Sequence, residues 1–130
     1  MMITTKGRNA LKIMIDLVKH DKGSPVSLSE IAERVKESVK YLEPTVAALV
    51  AAGLVSSTRG KSGGYRLTRL PNEYTVGEII CAAEGSLSPV SCLDEGCENA
   101  CNCPTLPLWR ELDDVIMSFL NGKTLDELVK

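Results

Sequence analysis

Between Ser27 and Gly53 the chain fits two amphipathic helices around a three-residue turn, and this constrains the fold more than anything else in it. Ser27-Leu28-Ser29-Glu30 has the form of a capping box: the Ser27 hydroxyl accepts from the Glu30 N–H, and the Glu30 side chain returns to the Ser27 N–H. Leu28, Ile31, Ala32 and Val35 then make the apolar stripe of a short helix, and Lys36-Glu37-Ser38 turns the chain. The next helix reads VKYLEPTVAALVAAG, with Leu42, Val46, Leu49 and Val50 inward and Gly53 just past its end. If it starts at Ser38, Pro44 lies inside it. Proline has no N–H, so the bond to the Lys40 carbonyl is lost. An opened or kinked first turn is expected, rather than a later start for the whole helix.

The flanking segments complete an order of elements. A first helix is expected over Thr5–His20, with Leu11, Met14, Ile15 and Val18 as its stripe, broken by Asp21-Lys22-Gly23-Ser24-Pro25. Past Gly53, residues 54–58 and 65–68 can be two strands joined by Arg59-Gly60-Lys61-Ser62-Gly63-Gly64, a glycine-rich hairpin tip. Residues 74–84 read as a fourth helix with Val76, Ile79, Ile80 and Ala83 inward. Residues 85–104 read as a loop rich in Gly, Pro and Cys. Residues 105–120 read as a long helix striped by Leu108, Leu112, Val115, Ile116 and Phe119, and Thr124 as the cap of a terminal turn. The fold class is mainly α with a small β-hairpin wing: a winged helix-turn-helix plus a long C-terminal helix. It divides into a winged helix-turn-helix unit at 1–84, a cysteine-rich loop at 85–104, and the long helix with its terminal turn at 105–130.

The formal net charge of −2 hides a split. Residues 1–70 carry twelve Lys/Arg against six Asp/Glu, and residues 71–130 carry three against eleven. Such asymmetry suits a chain whose first half meets a polyanion, although solvated faces also acquire it. Residues 59–69 hold Arg59, Lys61, Arg66 and Arg69 with no acid. The second helix of the pair can lie in a major groove with its N-terminal residues at base edges, while a flexible Arg suits a narrow minor groove. Double-stranded DNA is the expected partner. Its candidate contacts are Ser38, Lys40, Tyr41 and Glu43 on the helix, and Arg59, Gly60, Lys61, Gly63, Gly64 and Tyr65 on the wing. Glu43 can accept from a cytosine amino group but repels phosphate, so it serves selection rather than affinity. Helix-turn-helix units also serve as protein-interaction modules; the capped helix, turn, second helix and basic wing in that order favour DNA.

Several classes fall away. No apolar run approaches the ~20 residues of a membrane span, and the N-terminus MMITTKGRNALK has no signal-peptide pattern, so a cytoplasmic protein without membrane association is expected. The single His, the lack of a Ser/His/Asp arrangement and the absence of a GK[ST] phosphate loop argue against an enzyme.

Four of five cysteines, Cys92, Cys97, Cys101 and Cys103, fall within twelve residues. Four soft ligands on one loop suit Zn²⁺ or an iron–sulfur cluster, yet the spacing matches neither the paired C-x2-C of structural zinc sites nor the ferredoxin run. A regulatory Cys92–Cys97 disulfide is the alternative. Cys81 reads as a small buried apolar residue, and His20 as a favourable charge at a helix C-terminus.

With these residues assembled, the chain resembles the IscR family of iron–sulfur cluster regulators and its nitric-oxide- and cysteine-sensing relatives. The resemblance is carried by ITTKGRNALK, YLEPTVAALVAAGLVSSTRGKSGGYRL, YTVGEII, the cysteine loop and LWRELDDVIMSFLNGKTLDELV, nearly the whole chain. It implies a homodimer held by the C-terminal helix, in line with the five-residue apolar stripe there. It also implies a [2Fe–2S] cluster ligated by Cys92, Cys97 and Cys103, supplied by the iron–sulfur assembly machinery. Members without the cysteines sense other signals. The chain departs from the family pattern in three places. The ligating histidine three residues after the last cysteine is Leu106. The N-terminal acid that ligates in the nitric-oxide-sensing branch is Arg8. A frequently polar base-contacting position is Pro44. Cys101, an extra thiol, is the expected fourth ligand, with Glu98 its rival. The function expected is a DNA-binding repressor or activator that senses cluster status and controls iron–sulfur assembly genes. Two readings compete: a thiol or cysteine-metabolism regulator without a cluster, and an iron–sulfur carrier or electron-transfer protein on the same fold.

Overall fold

The computed structural model of the chain describes residues 3–96 and 103–129. Helix α1, Thr5–His20, is the central element, gripped by α4 (Val76–Glu84), α2 (Leu28–Val35), α3 (Val39–Ala51) and strand β2 (Gly64–Leu67). Its ends fall where the sequence put them. Its buried arc does not: Ala10, Ile13, Met14 and Leu17 are fully buried, while Leu11, Ile15 and Val18 are only half-buried. A helix clasped from several sides buries a wider arc than one stripe, and here the arc is centred one position away from the expected stripe.

The Ser27 cap forms, its hydroxyl accepting from the Glu30 N–H at 3.2 Å, but only that half of the expected box is made. Lys36 closes α2 in the left-handed conformation at φ 62°. The Ser38 hydroxyl caps α3 by accepting from the Tyr41 N–H at 3.1 Å. Helix α3 runs unbroken from Val39 to Ala51 with Pro44 inside it. The first turn is tightened, since the Tyr41 and Leu42 N–H groups both reach the Ser38 carbonyl. At its other end Gly53 N–H bonds the Val50 carbonyl and Leu54 N–H the Leu49 carbonyl, the paired bonds of a Schellman motif.

Strands β1 (Val55–Thr58) and β2 pair antiparallel, Val55 opposite Leu67 and Thr58 opposite Gly64. Beyond a 3₁₀ turn at Pro71–Glu73, α4 begins at Val76 rather than residue 74. Thr75 caps it in a full capping box with Glu78, at 3.1 and 2.9 Å. Tyr74 is instead a buried corner: its hydroxyl donates to the Leu54 carbonyl at 2.8 Å and accepts from the N–H groups of Thr68 and Arg69. Where a plain loop was expected, residues 92–95 form a one-turn helix, α5 (Cys92–Glu95). Helix α6, Leu106–Asn121, leads to a second 3₁₀ turn at Leu125–Leu128. This turn is tied back by Val76 N–H to the Lys123 carbonyl and Leu125 N–H to the Tyr74 carbonyl. As expected, Thr124 begins that turn.

Two hydrophobic clusters result. The first joins α1, α2, α3, the hairpin base, Tyr74 and Ile79; the second is small, built on Val76, Ile80 and Leu87 with Leu11, Cys81, Met117 and Leu120 against it. Along α6 the expected stripe is mostly uncovered: Leu108 is 55% exposed, Val115 65% and Phe119 63%.

Candidate nucleic-acid interface and cysteine segment

The start of α3 and the tip of the hairpin are the exposed, charged ends of a well-anchored unit. On α3 the buried side chains are Leu42, Thr45, Val46 and Leu49, which leaves Lys40, Tyr41, Glu43, Pro44 and Ala47 facing out. Tyr41, a large ring 55% exposed, has no folding reason to be there. Ser38 is exposed, with its oxygen accepting the cap bond and its proton still available. Pro44 shows a ring on the same outward face and contributes no donor.

The hairpin is fixed at its base and free at its tip. Val26, from the α1–α2 connection, exchanges two backbone bonds with Tyr65 at 3.0 and 2.8 Å. The Val26 segment passes so close that a Cβ on Gly64 would stand 2.4 Å from the Val26 carbonyl oxygen, and within the hairpin one on Gly63 would stand 2.2 Å from the Thr58 carbonyl oxygen. Gly63, Gly64 and Tyr65 therefore shape and anchor the wing. Arg59, Gly60 and Lys61 form its exposed tip. The basic run splits accordingly. Arg66 lies 3.5 Å from Asp21, and Arg69 pairs with Glu78 at 2.8 Å and covers the Tyr74 ring. Among the described residues Arg59 and Lys61 have no ion-pair partner. The sequence shows all four as one acid-free basic run and names only Arg59 and Lys61 as DNA contacts; the pairing of Arg66 and Arg69 depends on tertiary contacts that no local pattern reveals.

Two features near this face escaped the sequence reading. Helix α1 has no acid in its first turn. Glu84, the last residue of α4, supplies one from a distance: its carboxylate accepts from the Thr4 N–H at 2.6 Å, the Thr4 hydroxyl at 2.9 Å and the Gly7 N–H at 3.1 Å. A carboxylate on orphan N–H groups at a helix start is favourable both as hydrogen bond and as charge. Arg8, noted in the sequence as a cation where a relative carries a ligand, is exposed and bonds Thr5. The second feature is the Asp16–Arg34 clip between α1 and α2, a two-bonded pair at 2.8 and 2.9 Å with Asp16 buried. His20 joins it through the Asp16 carbonyl at 2.9 Å and the carboxylate at 3.4 Å, so its partner is an acid as well as the helix end.

The cysteine segment starts one residue after Glu84. Leu87 is buried in the second cluster, and the hydroxyls of Ser86 and Ser88 donate to Asp94 at 2.8 Å, holding its carboxyl below the usual range. Cys92 opens α5 and Cys103 lies just before α6; both are half-buried free thiols. The hydroxyl of Thr105, 3.3 Å from the Cys103 sulfur, together with backbone N–H groups lowers the pKa of Cys103, which favours the ligand form. Cys81 is the opposite case: it packs on the second cluster, and burial, then Asp113, pushes its thiol up. Cys97, Cys101 and Glu98 lie outside the described residues. Among the described residues no group of three Cys, His, Asp or Glu could hold a metal ion, and no helix is long and apolar enough to cross a membrane.

Comparison with known proteins decides the family. The family model described as Rrf2, an iron-dependent transcriptional regulator, matches residues 3–130. The chain belongs to the Rrf2 family. It is 45% identical over 130 residues to the HTH-type transcriptional regulator IscR of Pectobacterium carotovorum, a match covering 99% of this chain and 79% of that relative. Among solved structures it is similar to CymR (YrzC), the global cysteine regulator of B. subtilis, with 42% identity, coverage of 99% and 96%, and a TM-score of 0.78. It is also similar to T. potens IscR, with 37% identity, coverage of 99% and 86%, and a TM-score of 0.77. The winged fold and the resemblance read from the sequence are thus borne out. This Rrf2 protein is a DNA-binding transcriptional regulator and not an enzyme.

Proposed function

We propose that this Rrf2 protein acts in the cytoplasm as a homodimer that reports iron–sulfur status to promoters through a [2Fe–2S] cluster on the segment between Cys92 and Cys103. The observation that carries this reading is the pair of free, half-exposed thiols at the two ends of a segment that begins next to Glu84, the carboxylate holding the start of α1. The donor set suits the group: Cys92, Cys97 and Cys103 are three soft ligands, and Cys101 is the fourth, with Glu98 its rival. When bound, the cluster supplies iron–thiolate bonds that tie the segment together and disappear with the cluster. The assembly machinery is its source.

The chain's own residues then transmit the change. Glu84 ends α4 and holds Thr4 and Gly7, Lys6 lies in the same first turn, and Lys6 borders the same cavity as Lys40 and Tyr41 of the recognition helix. Switching a population from 1:99 to 99:1 needs about 5.5 kcal/mol of differential binding, a demand that several metal–thiolate bonds can meet. On DNA, Ser38, Lys40, Tyr41 and Glu43 face the major groove, and Arg59 and Lys61, presented by Gly60, Gly63, Gly64 and Tyr65, reach phosphate or the minor groove. A two-fold dimer then reads half-sites about one helical turn, roughly 34–36 Å, apart. Residues 1–84, 85–104 and 105–130 serve as reader, sensor and dimerisation element. The counter-reading has a concrete basis in the match to the cysteine regulator CymR: a thiol sensor on the same fold.

One experiment separates them. Anaerobically purified protein is expected to show visible absorption bands with about two irons and two acid-labile sulfides per chain. Replacing Cys92, Cys97 and Cys103 by Ala should abolish the bands and remove the iron dependence of promoter affinity. A colourless protein that resists reconstitution, or triple-variant affinity that matches the parent with and without iron, overturns the cluster reading in favour of the thiol sensor.

A further inference from the structure

Between α1 and the first half of α3 lies a cavity of about 190 Å³ lined by Lys6 and Asn9 of α1 and Lys40, Tyr41, Pro44 and Thr45 of α3. Asn9 is 1% exposed, and neither its Nδ2 nor its Oδ1 has a hydrogen-bond partner among the described residues. Buried polar side chains are normally paired, and an orphan on both atoms calls for an explanation. Folding does not supply one. The position lies on the buried arc of α1 beside Ala10 and Ile13, where an aliphatic side chain would fill the space.

We infer that this cavity is a binding site for a small organic monocarboxylate carrying a neutral hydrogen-bond donor, of the hydroxy-acid class. Three features set that chemistry. The Asn9 amide asks for one acceptor and one donor at the same point. Two exposed ammonium groups, Lys6 and Lys40, at the cavity favour an anion. The remaining wall is mostly carbon, including the Tyr41 and Pro44 rings, which suits an organic skeleton over an inorganic ion. A carboxylate accepts from Asn9 Nδ2 and neutralises the lysines, and an adjacent hydroxyl donates to Asn9 Oδ1. A DNA phosphodiester offers acceptors only, so it leaves Oδ1 unpaired. An α-ammonium group would be desolvated against two lysines.

The site opens between α1 and the recognition helix, and Lys40 belongs to both the cavity and the proposed DNA face. The acid therefore competes for a cation that DNA uses, and DNA binding weakens when the site fills. That coupling rests on the DNA-contact reading above; occupancy of the cavity does not.

The test uses the full chain with L-lactate and glycolate as probes, propionate as the acid without a hydroxyl, and ethylene glycol as the hydroxyl without an acid. At constant ionic strength lactate or glycolate should raise the melting temperature saturably at millimolar concentration. Propionate should bind about tenfold more weakly for want of one hydrogen bond, and ethylene glycol should have no effect. Asn9→Leu, which fills the cavity with carbon, should abolish the response while its own melting temperature is unchanged or higher. No saturable response to either hydroxy acid, meaning a cavity that holds water only, overturns the site. So does equal binding by propionate or by Asn9→Leu. Anisotropy with promoter DNA is a separate arm: saturating acid should weaken binding by about fivefold or more. Occupancy without that weakening overturns the coupling and leaves the site standing.

Discussion

The two hydrophobic clusters of this chain are finished to different degrees. The first closes on itself: α1 is covered on several sides, every helix it packs against is capped by a serine, a threonine or a Schellman turn, and the hydroxyl of Tyr74 satisfies three backbone groups at once. The second has Val76, Ile80 and Leu87 at its centre, and beside it Leu108, Leu112, Val115 and Phe119 face solvent along α6. The difference teaches that the first cluster is satisfied within the chain, whereas α6 leaves an apolar face uncovered, the face on which the proposed dimer depends. Monomers rarely leave so much contiguous apolar area open, and a second copy of the same helix is the self-complementary solution.

The comparison breaks most directly at α6. Val115→Glu with Phe119→Glu is expected to give a folded monomer by sedimentation, because neither side chain supports the first cluster. Promoter affinity should fall about 100-fold or more, since the second half-site is no longer delivered by linkage. A double variant that stays dimeric would mean that the open face of α6 is not the interface.

The closed cluster can be opened at Tyr74. Tyr74→Phe keeps the ring and removes the hydroxyl, leaving the Leu54 carbonyl and the Thr68 and Arg69 N–H groups short of a partner. A loss of about 2–3 kcal/mol is expected in urea unfolding, with dimer affinity unchanged. An equal loss in both quantities would show that the clusters are one cooperative unit.

What the sequence made legible follows the same division by distance along the chain. The span Thr5–His20, the Ser27 cap, the turn before Ser38, Gly53 and the hairpin are local: each rests on residues within a few positions of one another. Tyr74 was read as part of a helix because its partners lie at Leu54 and Thr68–Arg69, and no periodicity points there. Glu84 reaches Thr4 and Gly7 across most of the domain. The α1 stripe was misplaced by one position because α2, α3, α4 and β2 all pack on that helix. The cysteine set was legible as chemistry, but spacing alone does not say which thiols meet, and two of them lie outside the described residues.

Glu84 ties the end of α4 to the start of α1 and so offers a test of whether the two clusters communicate. Glu84→Gln retains an acceptor but removes the charge and weakens the bonds to the α1 N-terminus, at an expected cost of about 1 kcal/mol in stability. Under the sensor reading its larger consequence is functional: promoter affinity should respond less to iron than in the parent, with iron content unaltered. An unchanged iron response would remove Glu84 from the path between the cysteine segment and the DNA face.

The smallest effect, and the one that best resolves the reading head, is at the wing. Among the described residues Arg59 has no ionic partner, and it sits at the tip, while Arg66 faces Asp21 at 3.5 Å. The sequence reading named Arg59 and not Arg66 as a DNA contact, and the ion pair of Arg66 with Asp21 supplies a physical reason for the difference. Arg59→Ala is expected to weaken promoter binding several-fold and to lower the slope of log affinity against log salt by about one, as one phosphate contact is lost, without changing the melting temperature. Arg66→Ala should leave the salt slope alone and cost about 0.5 kcal/mol in stability, because a partly exposed pair is worth little. Equal salt slopes for the two variants would mean that the wing reorients on DNA far enough to free Arg66 from Asp21, and the anchored base seen here would not be the conformation that binds.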